Sequence, residues 1–211
     1  MKEVMKTGTT TVGIVAKDCI VLGADKRATA GHFIAGKKVD KVLKVADRMA
    51  LTTAGSVSDI QLLVKLIKAE LNLRNLRTGR ENNVSEAANL LSGIVYGNIR
   101  KFSVIPGVVH FLFGGFGDNG PQLYDIYPDG SISEIDNFVS SGSGSSFAFG
   151  VFDSQYKKDL SKDDAVKLAV KAINSALQRD SASGDGIDIV VIDKNGVEKV
   201  FTKELFIKVE K

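Results

Sequence analysis

The sequence is poor in the two residue types that most often carry hydrolytic or metal chemistry. Cys19 is the only cysteine in 211 residues, and His32 and His110 are the only histidines. A single cysteine excludes an internal disulfide and a cysteine-based metal cluster, and two histidines offer little material for a histidine triad or a metal site. Cys19 lies in the apolar run Cys19–Leu22, which favours a buried structural thiol over a nucleophile. Any hydrolytic chemistry would have to use a base other than histidine.

Long apolar runs and a strong charge of one sign are also missing. The 28 basic and 25 acidic residues leave a formal net charge of +3, and the closest approach to a basic patch, Lys37–Lys44, has no interleaved aromatic residues. Nucleic acid is therefore not an expected partner. No segment approaches the roughly 20 apolar residues of a membrane span, and Met1–Gly8 lacks the apolar stretch of a signal peptide. These features predict a cytoplasmic protein with no membrane association.

What is present is enough apolar sequence for one sizeable core, since hydrophobic residues make up 44% of the chain. Runs of β-branched and apolar residues, separated by turn signals, predict strands. These strands are Thr9–Ala16, Cys19–Asp25, Val39–Val45, Arg48–Ala54, Val108–Gly114, Gln122–Tyr127, Ser131–Ile135, Ile187–Ile192 and Val197–Phe201. We expect a single domain.

Three segments have the apolar spacing of helices. One runs from Ser56 to about Gly79, one from Glu86 to Lys101, and one starts at Ser161 with Asp164 in its first turn. Paired hairpins around two helices, and then one more helix and hairpin, do not fit an alternating parallel fold. Packed antiparallel sheets covered by helices, an α+β architecture, fit better.

Two glycine-rich segments could suggest a nucleotide site. Gly115, Gly117 and Gly120 satisfy a dinucleotide-binding pattern, but a strand follows them where a helix should receive the pyrophosphate. We interpret this segment as a hairpin loop. Ser141–Ser146 lacks the lysine of a phosphate-binding loop and the spacing of a nucleophile elbow.

The junction of Gly8 and Thr9 is the first candidate for chemistry. Cleavage between them would give Thr9 a free α-amine, whose ordinary pKa of about 7.7 to 8.0 lets it act as a base for the hydroxyl on the same residue. The alternative is that Thr9–Thr11 is simply a β-branched run that opens a strand. The junction alone does not decide between them.

Lys41 is the second candidate. In a strand it would share a face with Val39, Leu43 and Val45 and so point inward. A buried lysine needs a partner and has a lowered pKa, and Asp25, at the end of an apolar strand, could be that partner. The alternative is a solvated basic edge with Asp25 capping a turn. A third candidate, the polar loop Arg179–Gly184, could equally be an ordinary loop after a helix.

Six segments in order resemble the archaeal-type β-subunit of the 20S proteasome, from Gly8 to the final strands. They are GTTTVGI from Gly8, GADKRAT from Gly23, KKVDKV from Lys37, TAGS from Thr53, SGSGSSFAFG from Ser141 and QRDSASG from Gln178. The fold that the resemblance implies is the N-terminal nucleophile hydrolase sandwich. This is a four-layer αββα arrangement of two antiparallel sheets between helical layers.

The resemblance also implies a role for each matching residue. The catalytic set would be Thr9 as nucleophile, the pair Asp25 and Lys41, and Ser143, Asp180 and Ser183 around the Thr9 α-amine. Gly55 would donate its N–H to the oxyanion. The substrate-binding set would be Thr29 and the backbone near Val57, which align an extended peptide, with Ala28, Val39, Thr53 and Val57 lining the specificity pocket.

The function implied is that of a threonine endopeptidase that degrades unfolded polypeptides and needs no metal or organic cofactor. Residues 1–8 would be a propeptide removed by self-cleavage between Gly8 and Thr9, and residues 9–211 the catalytic domain. A molecule that retains the propeptide would be the inactive precursor. The implied partners are α-subunits and other β-subunits in stacked seven-membered rings, and a regulatory ATPase acting through the α-rings. The alternatives are a non-catalytic scaffold β-subunit of the same particle and a related N-terminal nucleophile amidohydrolase.

Overall fold

The structure, a computed structural model, describes residues 8–205. Most of the predicted propeptide, residues 1–7, and the end of the predicted domain, residues 206–211, lie outside the described residues. The strands, in chain order, are β1 (Thr11–Val15), β2 (Ile20–Asp25), β3 (Ala28–Ala30), β4 (Phe33–Gly36), β5 (Val42–Ala46), β6 (Met49–Gly55), β7 (Val109–Gly117), β8 (Gly120–Ile126), β9 (Ile132–Ile135), β10 (Phe138–Ser141), β11 (Gly186–Asp193) and β12 (Gly196–Glu204). The helices are α1 (Val57–Thr78), α2 (Val84–Ile99), α3 (Ser145–Gln155) and α4 (Lys162–Leu177).

Two five-stranded antiparallel sheets form the centre of the fold. The first has the order β10-β1-β2-β11-β12 and the second the order β5-β6-β7-β8-β9, while β3 and β4 pair as a separate short hairpin. Thr11 lies opposite both Ala24 of β2 and Ser141 of β10. The chain just before Thr11 therefore leaves the first sheet between the ends of β2 and β10.

Three hydrophobic clusters hold four layers together. One lies between the sheets and includes Leu22 of β2 and Leu112 of β7. A second packs α1 and α2 on the outside of the second sheet, and a third packs α3 and α4 on the outside of the first sheet. Because burial of apolar area drives this layering, the chain forms the predicted αββα sandwich.

The helix boundaries follow capping chemistry. Ser161 accepts a hydrogen bond from the Asp164 N–H at 3.2 Å, so α4 starts where the sequence predicted. Gly79 ends α1 in the left-handed conformation, with φ of 66°. The start of α2 was predicted too late, at Glu86, because Asn83 caps it by accepting from the Ser85 N–H at 2.9 Å.

Several elements were not predicted. Helix α3 was missed because its sequence has a mixed pattern and buries only Ala148 and Phe152. Strand β10 was missed because it is short and half polar, and β3 and β4 were missed because each has at most four residues. The glycine segment at the end of β7 forms the predicted hairpin with β8, since Gly117 pairs with Gly120.

Two predicted strands start later than expected. Thr9 and Thr10 precede β1 instead of opening it, and Lys41 precedes β5. In a regular strand Val42 would lie on the face opposite to Lys41, Leu43 and Val45 and so point outward, but it is buried between the sheets. The alternation failed because β5 begins only at Val42 and has an irregular register between Lys44 and Ala46. Within residues 8–205, no helix has both the length and the hydrophobicity that crossing a bilayer requires.

Candidate active site

Thr9 lies at the entrance to β1 and its hydroxyl is bound to Lys41. The residue is only 5% exposed, and the Lys41 amine donates a hydrogen bond to its Oγ1. The same amine bonds the Asp25 carboxylate, with 2.7 Å between Nζ and Oδ1. Lys41 is therefore buried and paired with Asp25, and not part of a solvated basic edge.

Asp25 is held at the end of β2 by donors on both of its oxygens. Oδ1 also accepts from the Thr10 N–H at 3.0 Å. Oδ2 accepts from the N–H of Arg27 at 3.0 Å and of Gly184 at 2.9 Å. A set consisting only of donors matches an ionised carboxylate, which can only accept. Asp25 thus supplies a fixed negative charge next to the Lys41 amine.

The charge of Lys41 is under two opposing influences. Burial removes water from the ammonium and lowers the pKa of Lys41 below its ordinary value of 10.5, while the Asp25 carboxylate partly offsets this by attraction and hydrogen bonding. Burial is the larger influence. The amine that touches the Thr9 hydroxyl is consequently easier to deprotonate than a lysine in water.

Ser143, Asp180 and Ser183 converge on the backbone next to Thr9. The Thr9 N–H donates to Ser143 Oγ at 3.2 Å, and both serine hydroxyls donate to Asp180 Oδ2 at 2.6 Å. Ser183 is also 2.6 Å from the hydroxyl of Thr10. These three predicted residues therefore form one hydrogen-bonded group around the Thr9 nitrogen.

The turn after β10 can approach Thr9 only because it contains glycine. Gly142 has φ of +91°, and a Cβ there would lie 2.0 Å from the Thr9 carbonyl oxygen. A Cβ on Gly144 would lie 2.0 Å from Thr10 Oγ1. The SGSGS motif thus has a steric meaning that the sequence did not reveal, because its glycines let the loop close on the threonines.

Two of the predicted substrate-binding residues, Thr29 and Thr53, have hydrogen bonds to residues next to Thr9 or in contact with it. Thr29 accepts the Gly8 N–H at 2.9 Å, and Thr53 donates its N–H to the Lys41 carbonyl at 2.9 Å. Val39 donates its N–H to the Lys26 carbonyl at 3.0 Å. Of the remaining predicted residues, Ala28 is the first residue of β3 and Val57 is the first residue of α1, with 54% of its surface exposed. Gly55, the predicted oxyanion residue, is the last residue of β6.

Arg27 is a site residue that the sequence reasoning missed. Its Nε donates to Asp185 at 2.7 Å, and its Nη1 donates to the Ser181 carbonyl at 2.9 Å. The guanidinium fills the space beside Gly184, where a Cβ would lie 2.3 Å from Arg27 Cζ. Arg27 therefore clamps the loop that carries Asp180 onto the end of β2. The sequence signal that could have identified Arg27 was its position in the GADKRAT motif, two residues after Asp25.

Two antiparallel sheets between helical layers define the fold of the N-terminal nucleophile hydrolases. Among chains with this fold, this one belongs to the proteasome subunit family, because the family model described as "Proteasome subunit" matches residues 5–192. The resemblance inferred from the six motifs is thereby confirmed.

The chain is similar in sequence to archaeal proteasome β-subunits over nearly its whole length. The proteasome subunit beta of Ferroglobus placidus is 47% identical, over 97% of this chain and 95% of its own length. That of Methanococcus aeolicus is 46% identical over 96% of this chain and 91% of its own length. The proteasome subunit beta of Archaeoglobus fulgidus is 45% identical over 92% of this chain and 90% of its own length. The similarity is thus to β-type subunits, and the range matched by the family model, residues 5–192, contains the site described above.

Proposed function

We propose that this chain is a threonine endopeptidase, the catalytic β-subunit of a 20S proteasome core, and that it activates itself by cutting its own Gly8–Thr9 bond. The observation that carries the proposal is the hydrogen bond from the Lys41 amine to the Thr9 hydroxyl. A threonine hydroxyl is a weak nucleophile, and a base within hydrogen-bond reach is what activates it.

Self-cleavage uses Lys41 because the Thr9 nitrogen is still an amide. When the Lys41 amine is neutral the hydrogen bond reverses, and Nζ accepts the hydroxyl proton while Thr9 Oγ1 attacks the Gly8 carbonyl carbon. The C–N bond then breaks as Lys41 returns that proton to the Thr9 nitrogen, and an ester joins Gly8 to the Thr9 oxygen. Water hydrolyses that ester, which releases the propeptide as a carboxylate and frees both the hydroxyl and the α-amine of Thr9.

Proteolysis by the mature enzyme repeats this sequence on a substrate. The Thr9 hydroxyl attacks a peptide carbonyl and its proton passes toward the new α-amine, with Lys41 setting the local charge. Ser143, Asp180 and Ser183 hold that amine in the place where the amide is held in the uncut chain. Water then hydrolyses the acyl-enzyme.

The remaining predicted residues bind the substrate. The Gly55 N–H stabilises the oxyanion, an interaction worth about 3 to 4 kcal/mol in other hydrolases. An extended peptide adds as a strand between Thr29 and the backbone near Val57. The side chain before the scissile bond enters the pocket formed by Ala28, Val39, Thr53 and Val57.

The proposed particle is the one that the similarity implies. Stacked seven-membered rings contain this subunit together with α-subunits, and a regulatory ATPase delivers unfolded polypeptides through the α-rings. The complete set of contacts around Thr9 argues against a scaffold role, because buried charges are costly to keep without a use.

The proposal is tested by co-expressing the full chain with the α-subunit of the same organism. We expect the intact mass to lack residues 1–8 and the particle to cleave fluorogenic peptides. Thr9→Ala should keep the full mass and lose cleavage, while Thr9→Ser, which retains a hydroxyl, should process. A Thr9→Ala chain that matured and cleaved normally would exclude the mechanism.

A further inference from the structure

The residue before Thr9 is enclosed on two sides. On one side, the Gly8 N–H donates to the Thr29 hydroxyl at 2.9 Å in a buried contact. On the other side, a Cβ added to Gly8 would lie 1.8 Å from the Cβ of Ala182 and 3.0 Å from Ser143 Oγ. Carbon atoms pack at about 3.5 to 4.0 Å. The position therefore accommodates a glycine backbone and no side chain.

We infer that Ala182 and Thr29 form a subsite that recognises Gly8 during self-cleavage. Thr29 fixes the N–H of Gly8, and the Ala182 methyl group excludes any side chain there. The inference rests on the proposed function and deepens it by naming what selects the residue before the scissile bond. Both are positioning residues, because they act on where the Gly8 carbonyl lies relative to the Thr9 hydroxyl.

The loop that carries Ala182 is braced against movement. The Ala182 N–H donates to Asp180 Oδ1 at 3.2 Å, and the Arg27 guanidinium donates to the carbonyl of Ser181 at 2.9 Å. A larger residue at position 8 cannot push the loop away without breaking these contacts. We therefore expect the displacement to fall on the Gly8 carbonyl, which is the reacting group in the proposed self-cleavage.

The decisive experiment is rescue of a blocked chain. Full-length chains are mixed with the α-subunit of the same organism, and loss of residues 1–8 is followed by intact mass over time. We expect Gly8→Ala to slow self-cleavage about 100-fold, the cost of misplacing a reacting group by about 1 Å. The double variant Gly8→Ala with Ala182→Gly should lose residues 1–8 about tenfold faster than Gly8→Ala alone, since part of the displacement is removed.

The rescue should be incomplete and specific. It is incomplete because the same Cβ would still lie 3.0 Å from Ser143 Oγ and 3.1 Å from the Cα of residue 182. The matched control is Ser181→Gly on the Gly8→Ala background, which loosens the same loop but leaves the Ala182 methyl group in place. Equal rescue by Ser181→Gly and Ala182→Gly, or no rescue by Ala182→Gly, overturns the inference.

The hydrogen bond to Gly8 is tested at Thr29. Thr29→Val keeps the shape but leaves the buried Gly8 N–H without an acceptor, and we expect self-cleavage to slow about tenfold. Thr29→Ser retains the hydroxyl and should stay within about threefold of the parent chain. If the valine and serine variants mature at the same rate, the hydroxyl has no positioning role.

Failure of this inference is distinguishable from failure of the proposed function. A chain made to begin at Thr9, by removing a fusion partner with a separate protease, needs no self-cleavage. If that chain assembles and does not cleave fluorogenic peptides, the proposed function itself fails. If it cleaves them while the substitutions at positions 8, 29 and 182 give the contrary results, only the subsite is disproved.

Discussion

The Lys41 amine donates a hydrogen bond to the hydroxyl of Thr9, a residue 32 positions earlier in the chain. In the uncut chain the Thr9 nitrogen is an amide and cannot accept a proton from that hydroxyl. Among the groups described around Thr9, the Lys41 amine is the one that combines contact with the hydroxyl and a lowered pKa. In the proposed self-cleavage, the contact between these two residues is therefore where the reaction would start.

Self-cleavage should speed up with rising pH. The pKa of Lys41 lies below 10.5 because of burial, so the neutral, proton-accepting form is populated at a lower pH than in a free lysine. The rate of propeptide loss, measured by intact mass across a pH series, should rise through that pKa and then level off. Lys41→Arg should abolish the reaction, because a guanidinium stays protonated. The control is Lys44→Arg at an exposed position, and a flat pH profile would contradict the assignment.

Gly142→Ala should disable the site for a steric reason. The added Cβ would lie 2.0 Å from the Thr9 carbonyl oxygen, so Thr9 must shift, and a shift of about 1 Å costs on the order of 100-fold in rate. The matched control is Gly120→Ala, because Gly120 has φ of +90° and open space around its Cβ position. Both variants carry about 1 kcal/mol or more of backbone strain. If both lose the same activity in a fluorogenic peptide assay, strain and not contact is the cause.

The layers of this fold could be predicted from the sequence because local patterns encode them. The apolar periodicity of α1, in which Leu63, Ile67 and Leu71 are buried, predicted that helix correctly. The two strands of the final hairpin were also predicted, and they pair from Asp193 and Gly196 onward. Helix α3 carries only two buried residues, so its pattern was too weak to detect. Elements with a strong local pattern, such as α1 and the final hairpin, were therefore predicted. Helix α3, whose pattern is weak, was not.

The site follows the same division. The Lys41–Asp25 pair was predicted as one of two alternatives, because each residue taken alone was out of place in an apolar segment. The contacts of Arg27 with Ser181 and Asp185 span more than 150 positions, and no local pattern indicates them. The six motifs compensated for this, because their order in the chain identified the family whose fold brings them together.

Cys19 should be chemically silent in the folded chain. Burial raises the pKa of its thiol to about 11, with only a partial opposing influence from Lys162. Since the thiolate is the reactive form, a disulfide reagent at pH 8 should label the folded chain very slowly and the urea-unfolded chain at once. Peptide cleavage by the proposed threonine endopeptidase should survive the reagent, whereas cleavage that used a cysteine nucleophile would be lost. Rapid labelling of the folded chain, with loss of activity, would contradict this.

The buried pair of Lys26 and Asp188 should contribute stability that depends on pH. Their charged atoms are 2.7 Å apart, with side chains 6% and 2% exposed. Burial opposes ionisation of Asp188, but hydrogen bonds from Lys26 and Thr202 outweigh it and hold the pKa of Asp188 below 3.8.

Because the pKa of Asp188 is lower in the folded than in the unfolded chain, its ionised carboxylate stabilises the fold at pH values above the unfolded-state pKa. This stabilisation is lost as the pH falls through the folded-state pKa. Asp188→Asn should therefore lose up to about 3 to 5 kcal/mol of unfolding free energy at pH 7, measured with urea. The buried Lys26 amine then keeps only its longer contact of 3.7 Å with the exposed Asp40. The difference from the parent chain should stay constant from pH 5 to 7 and shrink below about pH 4. Adding Lys26→Met to Asp188→Asn should recover part of the loss, since no unpaired charge remains. An unchanged urea midpoint for Asp188→Asn at pH 7 would show that the pair contributes nothing to stability.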